Sequence, residues 1–145
     1  MTDAQPPVPP PSPPSPPSPP SPVPARLGPV GQPRSALVTI LLTIVTCGIW
    51  HLCWTYWVFD ENQKWSNEGI GGLVGLLIAF FCSIVNLFLL PNEIEKMYAV
   101  DGRTSPVTAL TGLWFLLPIA GFIVWQVKVQ HALNDFWVSK GALAV

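Results

Sequence analysis

Charge is what this chain has least of. Lys and Arg number 7 and Asp and Glu 8 among 145 residues, a charged share of 10%, where ordinary soluble domains carry about a quarter. The net charge of −1 leaves no basic field, so nucleic acid is not expected as a partner. Cysteine is also scarce. Cys47, Cys53 and Cys82 form no CxxC pair and all fall in apolar stretches, which excludes a disulfide framework or a zinc-ribbon spacing and makes them small apolar fillers. No motif implies a cofactor or a metal. No carboxylate lies inside an apolar stretch, so a nucleophile–base pair such as Ser83 and His51 would lack an orienting acid, and no enzyme is expected. No cleavable leader is expected either, because the first apolar stretch is longer than a signal-peptide core and reads as a retained anchor.

What the chain does have is apolar length. Half of its residues are hydrophobic, and a domain this small cannot hide so much apolar surface within itself. Ser35 to Phe59, SALVTILLTIVTCGIWHLCWTYWVF, is uncharged throughout. About 20 apolar residues suffice to cross a bilayer core as a helix. Ile70 to Leu90 and Val107 to about Val127 are the second and third such stretches. The expectation is an all-α membrane protein with three transmembrane helices over residues 35–140, preceded by a disordered Pro/Ser-rich tail over residues 1–34.

In that tail, Ser12, Ser15, Ser18 and Ser21 recur every third residue among prolines, the period of a polyproline II rod. The tail is expected to act as a spacer, with a proline-motif-binding domain as a candidate ligand. Ser35 is the expected N-cap of the first helix, and Trp50, Trp54, Tyr56 and Trp57 an interfacial aromatic belt at its far end. Asp60–Glu68 reads as a polar turn. Pro91 is expected to end the second helix, and residues 93–101 to form a short interfacial helix that Asn92 caps and Gly102 ends. Ser105 and Pro106 open the third helix, which Pro118 and Gly121 bend before an amphipathic C-terminal part runs to about Ser139.

Two ridges of small or polar residues repeat every fourth position: Thr39, Thr43, Cys47, His51 and Thr55, then Gly71, Gly75, Ala79 and Ser83. They are the helix-packing candidates, since small residues let backbones approach closely in lipid. His51 is a titratable group beside a span, with an interfacial role favoured over a proton relay. Gln126, Gln130 and Asn134 form an amide row on the last helix.

Pro33-Arg34-Ser35 with ILLTIVTCGIWHLCWTYW resembles the opening helix and Gly-Ile-aromatic turn of the domain of unknown function 4234 family of small bacterial membrane proteins. Gln130-x-x-Leu133-Asn134-x-x-Trp137 is similar to its C-terminal pattern. Trp50 and Cys53 stand where that pattern has tyrosine, and His51 at a position it does not fix. The resemblance implies a bacterial cell membrane and no particular activity. The function expected is therefore a non-enzymatic scaffold or accessory subunit. A small oligomeric transporter or channel component is the alternative. The lipid bilayer is the first partner, then a second copy or another membrane protein. The lysines and arginines favour an inside N-terminus, four against three.

Overall fold

The computed structural model describes residues 28–145. Among them the fold is all-α, with no strand: α1 (Ala36–Val45), α2 (Ile49–Ser66), α3 (Gly71–Phe81), α4 (Ser83–Val100), a 3-10 helix (Ala109–Leu116) and α5 (Ala120–Ser139). The spacer and proline-ligand expectations fall on residues that lie outside the described ones. The last of the expected tail is described, and it packs. Gly31 is buried with its Cα against the Trp137 indole, and Val30 packs on the core.

Each of the three apolar stretches is folded back on itself. Arg34 and Glu61 form an ion pair at 2.5 Å although 27 residues separate them, so α1 and α2 run antiparallel. Gly69 sits against the Glu93 carboxylate, which makes α3 and α4 a second hairpin. Gly121 lies against the Trp114 carbonyl, and the Lys128 ammonium stands 5.8 Å from the Trp114 ring, so the 3-10 helix and α5 form a third. No described helix is long and apolar enough to cross a membrane. This corrects the expectation of three continuous spanning helices.

The first reversal has a local cause. Gly48 N–H donates to the Thr43 carbonyl and Cys47 N–H to the Ile44 carbonyl, the paired bonds of a Schellman motif, with Cys47 at φ 50° and Gly48 at φ 91°. Two consecutive left-handed residues turn the chain through a hairpin. The second reversal is a single residue, Cys82 at φ −135° and ψ 55°. The third uses Pro118 and Ile119, the latter at φ 64°. The expected bend at Pro118 is therefore a full reversal.

Other boundaries move with these. Asp60–Glu68 is mostly helix, since α2 continues to Ser66. Pro91 does not end the second apolar helix but lies buried inside α4, so the separate surface helix over 93–101 is the second half of α4. Proline has no N–H to give the carbonyl four residues back. That carbonyl belongs to Leu87, and it accepts the Trp125 indole N–H at 2.9 Å instead. Gly102 does end the helix, at φ 72°, with Arg103 N–H on the Tyr98 carbonyl. Ser105 does not start the next one. The 3-10 helix starts behind Thr108, whose side chain and that of Thr111 cap each other's backbone. Ser35 caps α1 as expected, accepting from Val38 N–H.

The packed core lies toward the charged ends of the hairpins. Trp54, Val58, Phe59, Trp65, Leu90 and Ile94 meet Trp125, Val129, Leu133, Phe136 and Trp137 there. Edge-on aromatic pairs fill it, with Trp65 and Phe136 at 4.7 Å between centroids. Tyr98 closes that end, donating its hydroxyl to the Ala132 carbonyl at 2.8 Å. Burial pushes its phenol above the usual range, Arg103 opposes this, and Asp135 and Asp101 add to it. A phenol pKa raised on folding stabilises the fold below the unfolded value of about 10 and loses that contribution as pH climbs through the folded value. Tyr98→Phe should therefore flatten the alkaline fall of melting temperature above about pH 10. An alkaline fall as steep as the parent's would show that other groups set it.

Candidate functional site: an uncharged apolar end above a buried amide line

The three reversals meet at one end of the molecule. A cavity of about 390 Å³ is lined by Cys47, Gly48 and Ile49 of the first turn, Phe80 and Ser83 beside the second, and Phe122 just past the third. Around it the surface is apolar. Val45, Phe81, Ile84, Leu116 and Ile119 are each between 73% and 86% exposed, and Leu41, Ile44, Leu77 and Leu117 lie open beside them. No charged residue occurs at 35–59, 69–92 or 104–127.

The opposite end carries the charge in short pairs. Arg34–Glu61 and Lys140–Asp101 join separate parts of the chain, whereas Lys64–Asp60 and Lys96–Glu93 each lie within one helix. Arg34 joins Glu61, Lys64 joins Asp60 at 2.6 Å, and Lys96 joins Glu93 at 2.8 Å. Asp101, with its side chain 4% exposed, is shared by Lys140 and Arg103. Arg103 also donates to the Ser139 hydroxyl. Lys128 is the charge nearest the apolar end, and it covers the Trp114 ring.

Both small-residue ridges are placed by this geometry. The Gly71, Gly75, Ala79 ridge is buried against α2: Gly71 faces the Gln63 side chain and Gly75 the Phe59 ring. Its last member, Ser83, is exposed at the start of α4 and donates its hydroxyl across the corner to the Ala79 carbonyl of α3. The other ridge is not one ridge. The turn at 46–48 cuts it, leaving Thr39 and Thr43 on α1, Cys47 exposed in the turn, and His51 and Thr55 on the returning α2. Thr39 and Thr43 donate to carbonyls one turn back, Ser35 and Thr39. Thr43, Cys47, His51, Ala79 and Ser83 share the cavity at the turns. No hydrogen bond joins Ser83 to His51, and no carboxylate lines that cavity. The aromatic belt is divided too: Trp54 is fully buried, whereas Tyr56 and Trp57 are about one-third exposed, at 36% and 37%.

The amide row is the most connected polar feature of the core. Trp54 Nε1 donates to Gln130 Oε1 at 2.8 Å, Gln130 Nε2 donates to Asn134 Oδ1 at 2.8 Å, and Asn134 Nδ2 donates to the Arg34 carbonyl at 2.7 Å. Arg34 N–H returns to Asn134 Oδ1 at 2.9 Å. The row thus docks the start of the first hairpin onto α5. Gln126, its first member, is completely buried, and neither amide atom has a partner among the described residues. Thr55 Oγ1, Asn86 Oδ1 and the Asn62 amide are likewise buried without one. Four-residue spacing marked Gln126, Gln130 and Asn134. From its place in the second apolar stretch, Asn86 was expected to bond a neighbouring helix or reach the interface. It is instead buried, with its Oδ1 unpartnered among the described residues, and nothing in the sequence marked Asn62.

The cysteines are free and exposed, not core fillers. Among the described residues no group of histidine, cysteine or carboxylate side chains is placed to hold a metal ion. The arrangement offers an uncharged apolar surface at one end and an ion-paired charged surface at the other.

No curated protein and no solved structure matches the chain. A family model does, over residues 34–135. That range runs from the arginine docked by the amide row to the last helix, and takes in all three hairpins. It is well over half of the chain, which belongs to the family described as Domain of unknown function (DUF4234).

Proposed function

We propose that this protein is a small non-enzymatic membrane protein, a scaffold or accessory subunit, held in a bilayer by its three hairpin turns while the charged end faces water. One observation carries the reading: Val45, Phe81, Ile84, Leu116 and Ile119, each at least 73% exposed, surround the three turns, and no charge lies among them. Contiguous apolar surface on that scale marks a lipid or protein contact. The charged end, with its ion pairs closed among the hairpin ends, is left to meet partners, and the cell membrane is the location this implies.

The test is flotation. Detergent-free protein reconstituted with phospholipid vesicles should rise with them through a density gradient, and stay with them in high salt, because the contact is apolar rather than ionic. Protein that stays in the dense fraction, monomeric or as a soluble assembly, would overturn the reading. Membrane association in hand, a partner captured from gentle detergent and lost on mutating the charged end would mark the scaffold role.

The unpartnered polar groups of Thr55, Asn86 and Gln126 inside the bundle favour a second reading, a subunit of an oligomeric transporter. Solute flux from vesicles holding the purified protein, abolished by Gln126→Leu, would select it over the first.

A further inference from the structure

If the apolar end lies in lipid, as proposed above, the hairpins also fix how deeply it goes. All three turn at the same end, and each hairpin begins and finishes at the charged end. The first arms are short. α1 has 10 residues and α3 has 11, so each is about 15–17 Å long at 1.5 Å per residue. The 3-10 helix has 8 residues, about 16 Å at 2 Å each. A hydrocarbon core is about 30 Å thick. Each of these first arms therefore reaches about half-way. The returning arms are longer, 18 residues in α2 and α4 and 20 in α5, and continue beyond that depth toward the charged end.

Many backbone donors at the turns are satisfied locally, as that environment requires. Backbone polar groups in hydrocarbon must be satisfied internally. In the first turn Thr46, Cys47, Gly48 and Ile49 donate to Leu42, Ile44, Thr43 and Thr46 carbonyls, and the Thr46 hydroxyl both donates to Leu42 O and accepts from Trp50 N–H. In the second, Cys82 N–H is taken by Ile78, and Val85 N–H by Cys82. In the third, Leu117, Ala120 and Gly121 donate to Trp114, Pro118 and Leu117.

We propose that the protein enters one leaflet only. Its three hairpins dip to about the bilayer midplane and return, no segment crosses, and Gly28 and Val145 stay on the entry side. Arg34, Lys64, Lys96, Arg103 and Lys140 all lie at that side, and no cation lies at the turns. The lysine and arginine bias then puts the entry side in the cytoplasm, on a stronger imbalance than three alternating spans would give. The occupant of the apolar end is the acyl region of a single leaflet.

The full chain with a protease-cleavable tag at each end, reconstituted in vesicles, tests this whatever the mixture of orientations. Protease added outside should remove both tags from a molecule or neither. Single-cysteine variants retaining Cys47 or Cys82, the native thiols at the first two turns, should resist a charged maleimide added outside or trapped inside, until detergent is added. Vesicle-bound protein that loses one tag per molecule overturns the one-leaflet inference and leaves the membrane reading intact. So does vesicle-bound protein whose Cys47 or Cys82 is labelled from either face. Protein that fails to float at all overturns both.

Discussion

Gly75→Ile should leave almost no folded protein. Gly75 is on the buried face of α3, and a Cβ built there falls within the Phe59 ring. Phe59 is 1% exposed and packs in the main core, so it cannot swing aside. A Cβ at the neighbouring Gly72 would stand 2.7 Å from the Tyr56 carbonyl oxygen, which shows how near the two backbones run. Overpacking a core site costs about 1–3 kcal/mol, and more where backbone must move. An isoleucine here pushes α3 off α2 along its whole length, so the expected cost is about 3 kcal/mol or greater, a large part of a domain's total stability. Leu77→Ile is the control. Leu77 is 48% exposed on the opposite side of the same helix, and it introduces the same β-branched residue without the overlap. Detergent-solubilised yield and melting temperature should fall for Gly75→Ile and stay near the parent's for Leu77→Ile. Equal behaviour of the two would mean that α2 and α3 do not pack as described.

That contact was legible because four-residue spacing of small residues is a statement about one helix face, and a face survives any change in where the helix points. Helix direction was not legible. An apolar run of 25 residues satisfies a hydropathy count equally well as one long helix or as two short ones folded together, since both keep the same side chains out of water. The signals that separate the cases are single residues. Gly48, after Thr46 and Cys47, and the Gly-Ile-aromatic turn of the family resemblance stand at the first reversal, but the expectation ran one helix straight through them. Pro118 marked the third but was read as a bend, because proline alone kinks a helix whereas reversal also needed Ile119 in a left-handed conformation. Cys82 carries no mark, as no glycine or proline stands at that corner.

Pro91 misled in the other direction. Proline stops a helix chiefly through the carbonyl it leaves unbonded and its clash with the turn before. Trp125 removes the first of these costs from 38 residues away. A sequence reading has no access to a donor supplied by another hairpin. The same holds for the amide row. Its spacing was visible, yet its role depends on Trp54 and on the backbone of Arg34, 100 residues from Asn134.

A carboxylate placed at the turns should detach the protein from membranes without unfolding it. Phe81 is 75% exposed and Leu116 80% exposed, each beside a reversal and clear of the packed core. In water, an exposed site of this kind tolerates Asp within about 0.5 kcal/mol. At the depth proposed for the turns, Asp costs about 2.5–3.5 kcal/mol on insertion scales. Every 1.4 kcal/mol is a factor of ten, so each substitution should weaken vesicle partitioning by about a hundredfold. Phe81→Asp and Leu116→Asp together should bring the protein into the dense fraction of a flotation gradient. Val100→Asp supplies the comparison. Val100 is 42% exposed at the charged end, where the same carboxylate stays in water, and flotation should be unchanged. Melting in detergent should be close to the parent for all three variants, which separates lost insertion from lost fold. The cost follows depth and not exposure, so a carboxylate at Phe81 that floats as well as one at Val100 would place the turns in water and remove the basis for the membrane reading.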